Sequence, residues 1–270
     1  MQIVRISRND WKVKITEDDK DKIRFIAREL KDVIDENDGL KPFGYWKSMK
    51  SEEIWKRIII QFCVMRGTNA WDKLKEKKVE YREFLEKMKL ENLVNKENRI
   101  GFLRETFRKY KPTILVKKPE KETSPHPDIP DRIGQFLNNK NAVKEGKLIL
   151  FDGLDSLTNE NEIRDILLRR CGSSFKMKSI SDFMISIGAA KNFIALDTRI
   201  IGLFKKYFHL NDDVNLTSIQ SNKSLYKAIE KELMEICANI GINLSTLDRI
   251  LFRSSEISAI DYLMEKISIN

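Results

Sequence analysis

The chain has 270 residues, 41% hydrophobic and 34% charged, enough to bury a real core in one large domain or two lobes. Its 50 Lys and Arg outnumber 41 Asp and Glu, and the resulting net charge of +9 raises the odds of a polyanionic partner, whose phosphates release counterions on contact. Three scattered cysteines (Cys63, Cys171, Cys237) and two histidines (His126, His209) speak against a disulfide framework, a zinc site, an iron–sulfur cluster and a Ser-His-Asp triad.

Taken in order, residues 1–16 alternate apolar and polar side chains and predict a short strand or extended arm. No apolar h-region follows Met1, and no apolar run approaches the roughly 18 to 20 residues that span a bilayer. Free, core-facing thiols then fit a reducing cytoplasm, with the protein nucleoid-associated if its source is a prokaryote. Thr16 followed by Glu17, Asp18 and Asp19 predicts a helix over residues 17–34, ended by Asp38-Gly39. Pro42-Phe43-Gly44-Tyr45-Trp46 is a turn rich in aromatics. Ser51 is expected to cap an apolar helix that breaks at Arg66-Gly67-Thr68, with helices over residues 69–77, 81–90 and 98–110 beyond it. Five of the six prolines fall in residues 111–132, which read as a solvated loop or linker, the insert being placed at about 112–132. Helices are expected again over residues 160–170, 179–187 and 225–240, after Asp197, and from Leu244 onward. Strands are few, so the class is mainly α.

Residues 175–199 carry the chemistry. Lys178 stands at a helix start, an amphipathic helix follows, then Gly188, then an apolar run ending in Asp197. The backbone N–H groups at the start of the second helix suit a phosphate, with Lys176 adding charge. The order K-x-x-x-x-F-x-x-x-x-G followed by L-D-x-x-I is met by Lys178, Phe183, Gly188, Leu196, Asp197 and Ile200. This pattern resembles the signature of the helix-hairpin-helix (HhH-GPD) DNA glycosylase superfamily. The separation of 19 residues from Lys178 to Asp197 resembles the bifunctional 8-oxoguanine glycosylases. Residues 53–74 and 230–254 are similar to that family's early helix pair and C-terminal L-D-x-x-L segment.

The resemblance implies a two-lobed helical glycosylase fold over residues 41–270, with residues 1–40 as a short N-terminal extension. It implies base-excision repair: release of 8-oxoguanine from double-stranded DNA by a monomer, then strand cleavage as an AP lyase. Lys178 would be the Schiff-base nucleophile and Asp197 its carboxylate partner. Ser174, Phe175, Lys176, Met177 and Arg199 would touch DNA, with Met65 and Arg66 in a loop that fills the gap left by a flipped base. Trp46, Trp55, Phe252 and Asp248 would line the base pocket. No metal or cofactor is required, and a potassium or sodium ion on hairpin carbonyls is allowed by the resemblance alone. The chain departs from the pattern where Ser174-Phe175-Lys176 replaces G-[IV]-G, where Arg199 replaces a histidine and where Phe252 replaces a tryptophan. Three alternatives stay open: the same fold acting on another base, a monofunctional glycosylase, and a DNA-binding protein without catalysis.

Overall fold

The computed structural model describes residues 1–7, 10–33, 40–65, 68–113, 128–211, 214–256 and 259–269. Among these the protein is mainly helical, with two short antiparallel strand pairs. No helix among them is long and apolar enough to cross a membrane. The chain divides into two units. One combines Met1–Tyr45 with Lys176–Asn270, and the other is Trp46–Phe175. The expected division at residue 40 differs from this, because the beginning of the chain belongs to the same unit as the end.

In the discontinuous unit, β1 (Gln2–Arg5) pairs antiparallel with β2 (Trp11–Lys14), Ile3 opposite Val13. Ile3, Val13 and Ile15 are buried, and β2 lies on α12 (Lys223–Asn239). Helix α1 (Glu17–Glu29) starts where Thr16 accepts the Asp19 amide and buries Ile23, Ile26 and Ala27, also against α12. It is shorter than expected. Leu30 closes it and a 3-10 turn follows at Lys31–Val33, while Asp38-Gly39 lies outside the described residues. Ile3, Val13, Ile15, Ile23, Ile26 and Ala27 thus contribute to the core of this unit. The rest of the unit is α9 (Met177–Ser186), α10 (Thr198–Tyr207), α11 (Leu216–Ser221), α13 (Leu244–Glu256) and α14 (Ala259–Ile269). Helix α13 packs against α10, α12 and α14, and α11 against α9.

The second unit holds α2 (Ser51–Val64), α3 (Asn69–Glu76), α4 (Lys78–Lys87), α5 (Leu90–Val94), α6 (Arg99–Tyr110), α7 (Ile129–Leu137), β3 (Val143–Lys144), β4 (Lys147–Leu148) and α8 (Glu160–Cys171). Aromatic rings knit it together. Phe84 meets Trp71, Phe107 and Tyr110, and Phe136 meets Trp55, Phe62 and Phe175. Such pairs add about 0.5–1.5 kcal/mol each beyond the area they bury. Part of the expected proline-rich loop is helix. Asp128 caps α7 and Pro130 sits in its first turn, where a missing N–H costs nothing. Residues 114–127, with Pro119, Pro125, Pro127 and His126, lie outside the described residues. Cys63, Cys171 and Cys237 are free and buried, as core-facing thiols.

Candidate active site

The site is built on a strap, residues 189–196, between α9 and α10. It forms neither helix nor strand, yet Phe193, Ile194 and Leu196 are at most 1% exposed. Burying each such side chain yields about 1.5–3 kcal/mol. Each backbone group taken along without a partner would cost about 1–3 kcal/mol, so the strap survives only if its amides and carbonyls are paired.

Side chains from three helices do the pairing. The Ala195 amide donates to Asp248 Oδ1 at 2.7 Å and the Ile194 amide to Glu230 Oε1 at 3.4 Å. The Tyr226 hydroxyl accepts from the Leu196 amide at 3.0 Å and donates to the Ile194 carbonyl at 2.6 Å. Gln220 Nε2 donates to the Leu196 carbonyl at 2.9 Å, and the Ser245 amide to the Lys191 carbonyl at 2.9 Å.

Gly188 opens the strap. Its φ of +69° lies in the left-handed region, and a Cβ built there would stand 2.5 Å from the Pro42 carbonyl oxygen and 2.9 Å from Tyr45 Cβ. The Gly44 amide donates to the Gly188 carbonyl at 2.8 Å. Gly188→Ala is therefore expected to destabilise the protein by about 3 kcal/mol, from backbone strain and overpacking together. Urea unfolding followed by circular dichroism checks this, and an unchanged midpoint would contradict the close approach.

The strap delivers Asp197 to the start of α10. There Asp197 Oδ1 accepts the Arg199 and Ile200 amides at 2.9 and 3.0 Å, capping the helix. Its other oxygen lies 3.4 Å from Arg199 Nε. The Arg199 guanidinium in turn sits 3.6 Å from the centroid of the Phe252 ring.

Lys178 lies in the first turn of α9. Its Nζ is 3.3 Å from Asp182 Oδ2, one helical turn on, with both side chains mostly buried. Asp182 also receives Arg249 Nη2 at 3.3 Å, and Arg249 Nη1 lies 3.5 Å from Asp248 Oδ2. A polar chain thus runs Lys178–Asp182–Arg249–Asp248–Ala195 amide, ending two residues before Asp197. Burial pushes the Asp182 carboxyl up, but Lys178 and Arg249 outweigh it and hold it at about 2. For Asp248 burial wins: with the neighbouring Asp182 and Asp197 carboxylates adding to it, the group rises to about 6 against the pull of Arg249 and the Ala195 amide.

The expected site residues separate accordingly. Lys178, Asp197, Arg199, Phe252 and Asp248 fall in one charged cluster, but the direct partner of Lys178 is Asp182 and that of Asp197 is Arg199. Asp248 is 1% exposed and holds the strap, so it is a buried brace rather than an open pocket wall. In the hairpin, Ser174, Phe175 and Met177 are buried, and the Phe175 ring lies 4.9 Å from that of Phe62. Their side chains are core groups, and Lys176, the cap residue of α9, is the exposed one. Gly172, with φ of +59°, closes α8. Trp46 and Trp55 are each 2% exposed. Trp46 packs on Phe151 and lines, with Phe151 and Leu148, a small pocket of the second unit, whereas the Trp55 indole donates to the Met88 carbonyl at 2.6 Å inside the core of that unit. Met65 is half-buried at the end of α2, and Arg66 lies outside the described residues.

Asp182, Arg249, Gln220, Tyr226 and Glu230 were not expected. Asp182 carried a signal in its spacing of four from Lys178, whereas the other four reach the site only through the fold. Among the described residues, Asp18, Asp19 and His209 come close enough together to hold a cation. The Asp19 carboxylate is already taken there, by the Met1 amino group at 2.6 Å and His209 Nδ1 at 3.1 Å. A groove of about 620 Å³ lies elsewhere, in the second unit, lined by Lys73, Lys77, Lys109 and Tyr110 among others. No family model, curated protein or solved structure matches the chain.

Proposed function

We propose that the protein is a DNA N-glycosylase of helix-hairpin-helix type with an associated lyase activity, acting on 8-oxoguanine in double-stranded DNA. The observation that carries this reading is the polar chain joining Lys178 to the strap that presents Asp197. An amine and a carboxylate at the two ends of one braced segment suit covalent sugar chemistry.

In the proposed reaction a damaged purine leaves the stack at a cost of roughly a few kcal/mol, less where a lesion weakens pairing. Asp197 stabilises the positive charge growing on the sugar. The Lys178 amine, having given up its extra proton, forms a bond to C1′ as the bond from C1′ to the base breaks and the base leaves with its electron pair. The nitrogen lone pair then breaks the C1′–O4′ bond, O4′ takes up the proton that the nitrogen releases, and the Schiff base results. Loss of a proton from C2′ then expels the 3′-phosphate, cutting the strand. The net charge of +9 and the exposed Lys176 suit the polyanionic substrate.

The Lys178–Asp182 ion pair favours a second reading. A lysine held as an ammonium is no nucleophile, and Asp197 alone would then support base release by water. Borohydride trapping on a duplex with 8-oxoguanine opposite cytosine separates the two. A covalent protein–DNA adduct is expected. Base release without an adduct establishes the monofunctional reading, and neither product on any lesion tested overturns both.

A further inference from the structure

The turn at residues 42–45 displays two aromatic rings that the reaction above does not use. Phe43 is 39% and Tyr45 38% exposed, whereas Trp46, the next ring along, is 2% exposed. The turn is firmly seated. The Gly44 amide bonds to the Gly188 carbonyl at 2.8 Å, the Tyr45 amide to the Pro42 carbonyl at 3.0 Å, and Gly188 has no room for a side chain beneath. Two rings are thus presented on a braced backbone, which lowers the entropy lost when a partner binds.

Two lysines stand beside them. Lys41 Nζ lies 5.5 Å from the Tyr45 centroid and Lys191 Nζ 5.8 Å from that of Phe43. Residues 40–45 and 188–196, the two segments brought together here, contain these two lysines and no acid. The fitting partner therefore presents a flat aromatic face and a negative charge on the same unit. A nucleotide does so, provided its base is out of the helical stack, because a paired base keeps its faces covered.

We propose that Phe43 and Tyr45 form a stacking platform for an unpaired nucleobase within a DNA strand, with Lys41 and Lys191 moving from the rings to the flanking phosphates. This rests on the nucleic-acid part of the proposed function and not on the Lys178 chemistry.

The test uses the whole protein and a short oligonucleotide carrying one 2-aminopurine, whose fluorescence is quenched by stacking, either single-stranded or paired with thymine in a duplex. Quenching is expected with the single strand and not with the paired base. Phe43→Leu/Tyr45→Leu keeps apolar bulk and removes both π faces, so it preserves the fold. It is expected to abolish the quenching and to weaken single-strand binding about tenfold. Phe43→Trp/Tyr45→Trp is expected to restore both. Lys41→Ala/Lys191→Ala is expected to reduce the slope of log affinity against log salt by about 1.4, the single-strand value for two phosphate contacts. Unchanged affinity and quenching in the leucine variant overturn the platform, whatever the trapping experiment gives. Quenching without a trapped adduct supports the platform and counts against the lyase alone. Absence of DNA binding overturns the platform together with the nucleic-acid reading.

Discussion

On the proposed reaction, Lys178→Ala is expected to abolish the borohydride-trapped adduct and to lower strand cleavage after base release by at least about 10³-fold, the scale on which loss of a covalent nucleophile registers. The variant also strips Asp182 of one of its two cations, so lost activity alone could reflect a rearranged cluster. Lys178→Arg removes that ambiguity. Arginine reaches Asp182 at the same helical spacing and keeps the ion pair, but its guanidinium stays protonated and forms no Schiff base. Both variants are therefore expected to lose the adduct, while Lys178→Arg unfolds in urea at nearly the wild-type midpoint. An adduct surviving in Lys178→Arg places the nucleophile elsewhere. Base release surviving in both variants, with wild type giving no adduct, assigns the chemistry to Asp197 and water. The ion pair also bears on the rate. In the proposed reaction Lys178 would first have to leave the Asp182 carboxylate, which sits 3.3 Å away and which Lys178 and Arg249 together hold ionised, so the ion pair would slow attack.

Local signals in the sequence were legible where one element settles the matter. Thr16 with three acids after it predicts the start of α1 and caps it through the Asp19 amide. Asp197 before Thr198 was singled out for chemistry, and it also carries the helix cap that fixes its direction. Pro130 misled because proline marks a break inside a helix and a beginning at its first turn, and composition alone does not distinguish the two. The aromatic run at residues 43–46 misled differently. A turn has no period, so nothing local says that Trp46 enters the core while Phe43 and Tyr45 stay at the surface. The strap was read as an apolar run, but its partners were invisible. Gln220, Tyr226, Glu230 and Asp248 lie 24 to 53 residues from the backbone groups they satisfy, on three helices whose sequences carry no mark of the pairing. Burial of polar backbone demanded such partners, but the choice among distant polar residues is made by packing.

Asp248 carries the second large effect because it does two opposed things. Its Oδ1 accepts the Ala195 amide in the core, and its charge is buried, with that amide and Arg249 offsetting part of the cost. Asp248→Ala leaves that amide unpaired and Arg249 one carboxylate short, so a loss of about 3–5 kcal/mol is expected in urea unfolding at neutral pH. Asp248→Asn keeps an acceptor oxygen for the amide and removes the buried charge, so it is expected to cost much less than the alanine variant. The pH dependence separates the two contributions. The folded carboxyl is raised from the ordinary 3.8 to about 6, so the native state holds its proton where the unfolded chain has released it. The protonated group favours folding most below the unfolded value, and that contribution is lost as pH rises through about 6. A shift of this size corresponds to a ceiling of about 3 kcal/mol. Asp182 runs the other way: its carboxyl is held at about 2, so its contribution is present above the ordinary 3.8 and disappears only as pH falls towards 2. Between pH 4 and 7 the difference in unfolding free energy between wild type and Asp248→Asn is therefore expected to move steadily in favour of the asparagine variant. Parallel stability profiles across that range would mean that the Asp248 charge is solvated in the native protein. The brace on Ala195 would then be an ordinary surface hydrogen bond with no hold on the strap that carries Asp197.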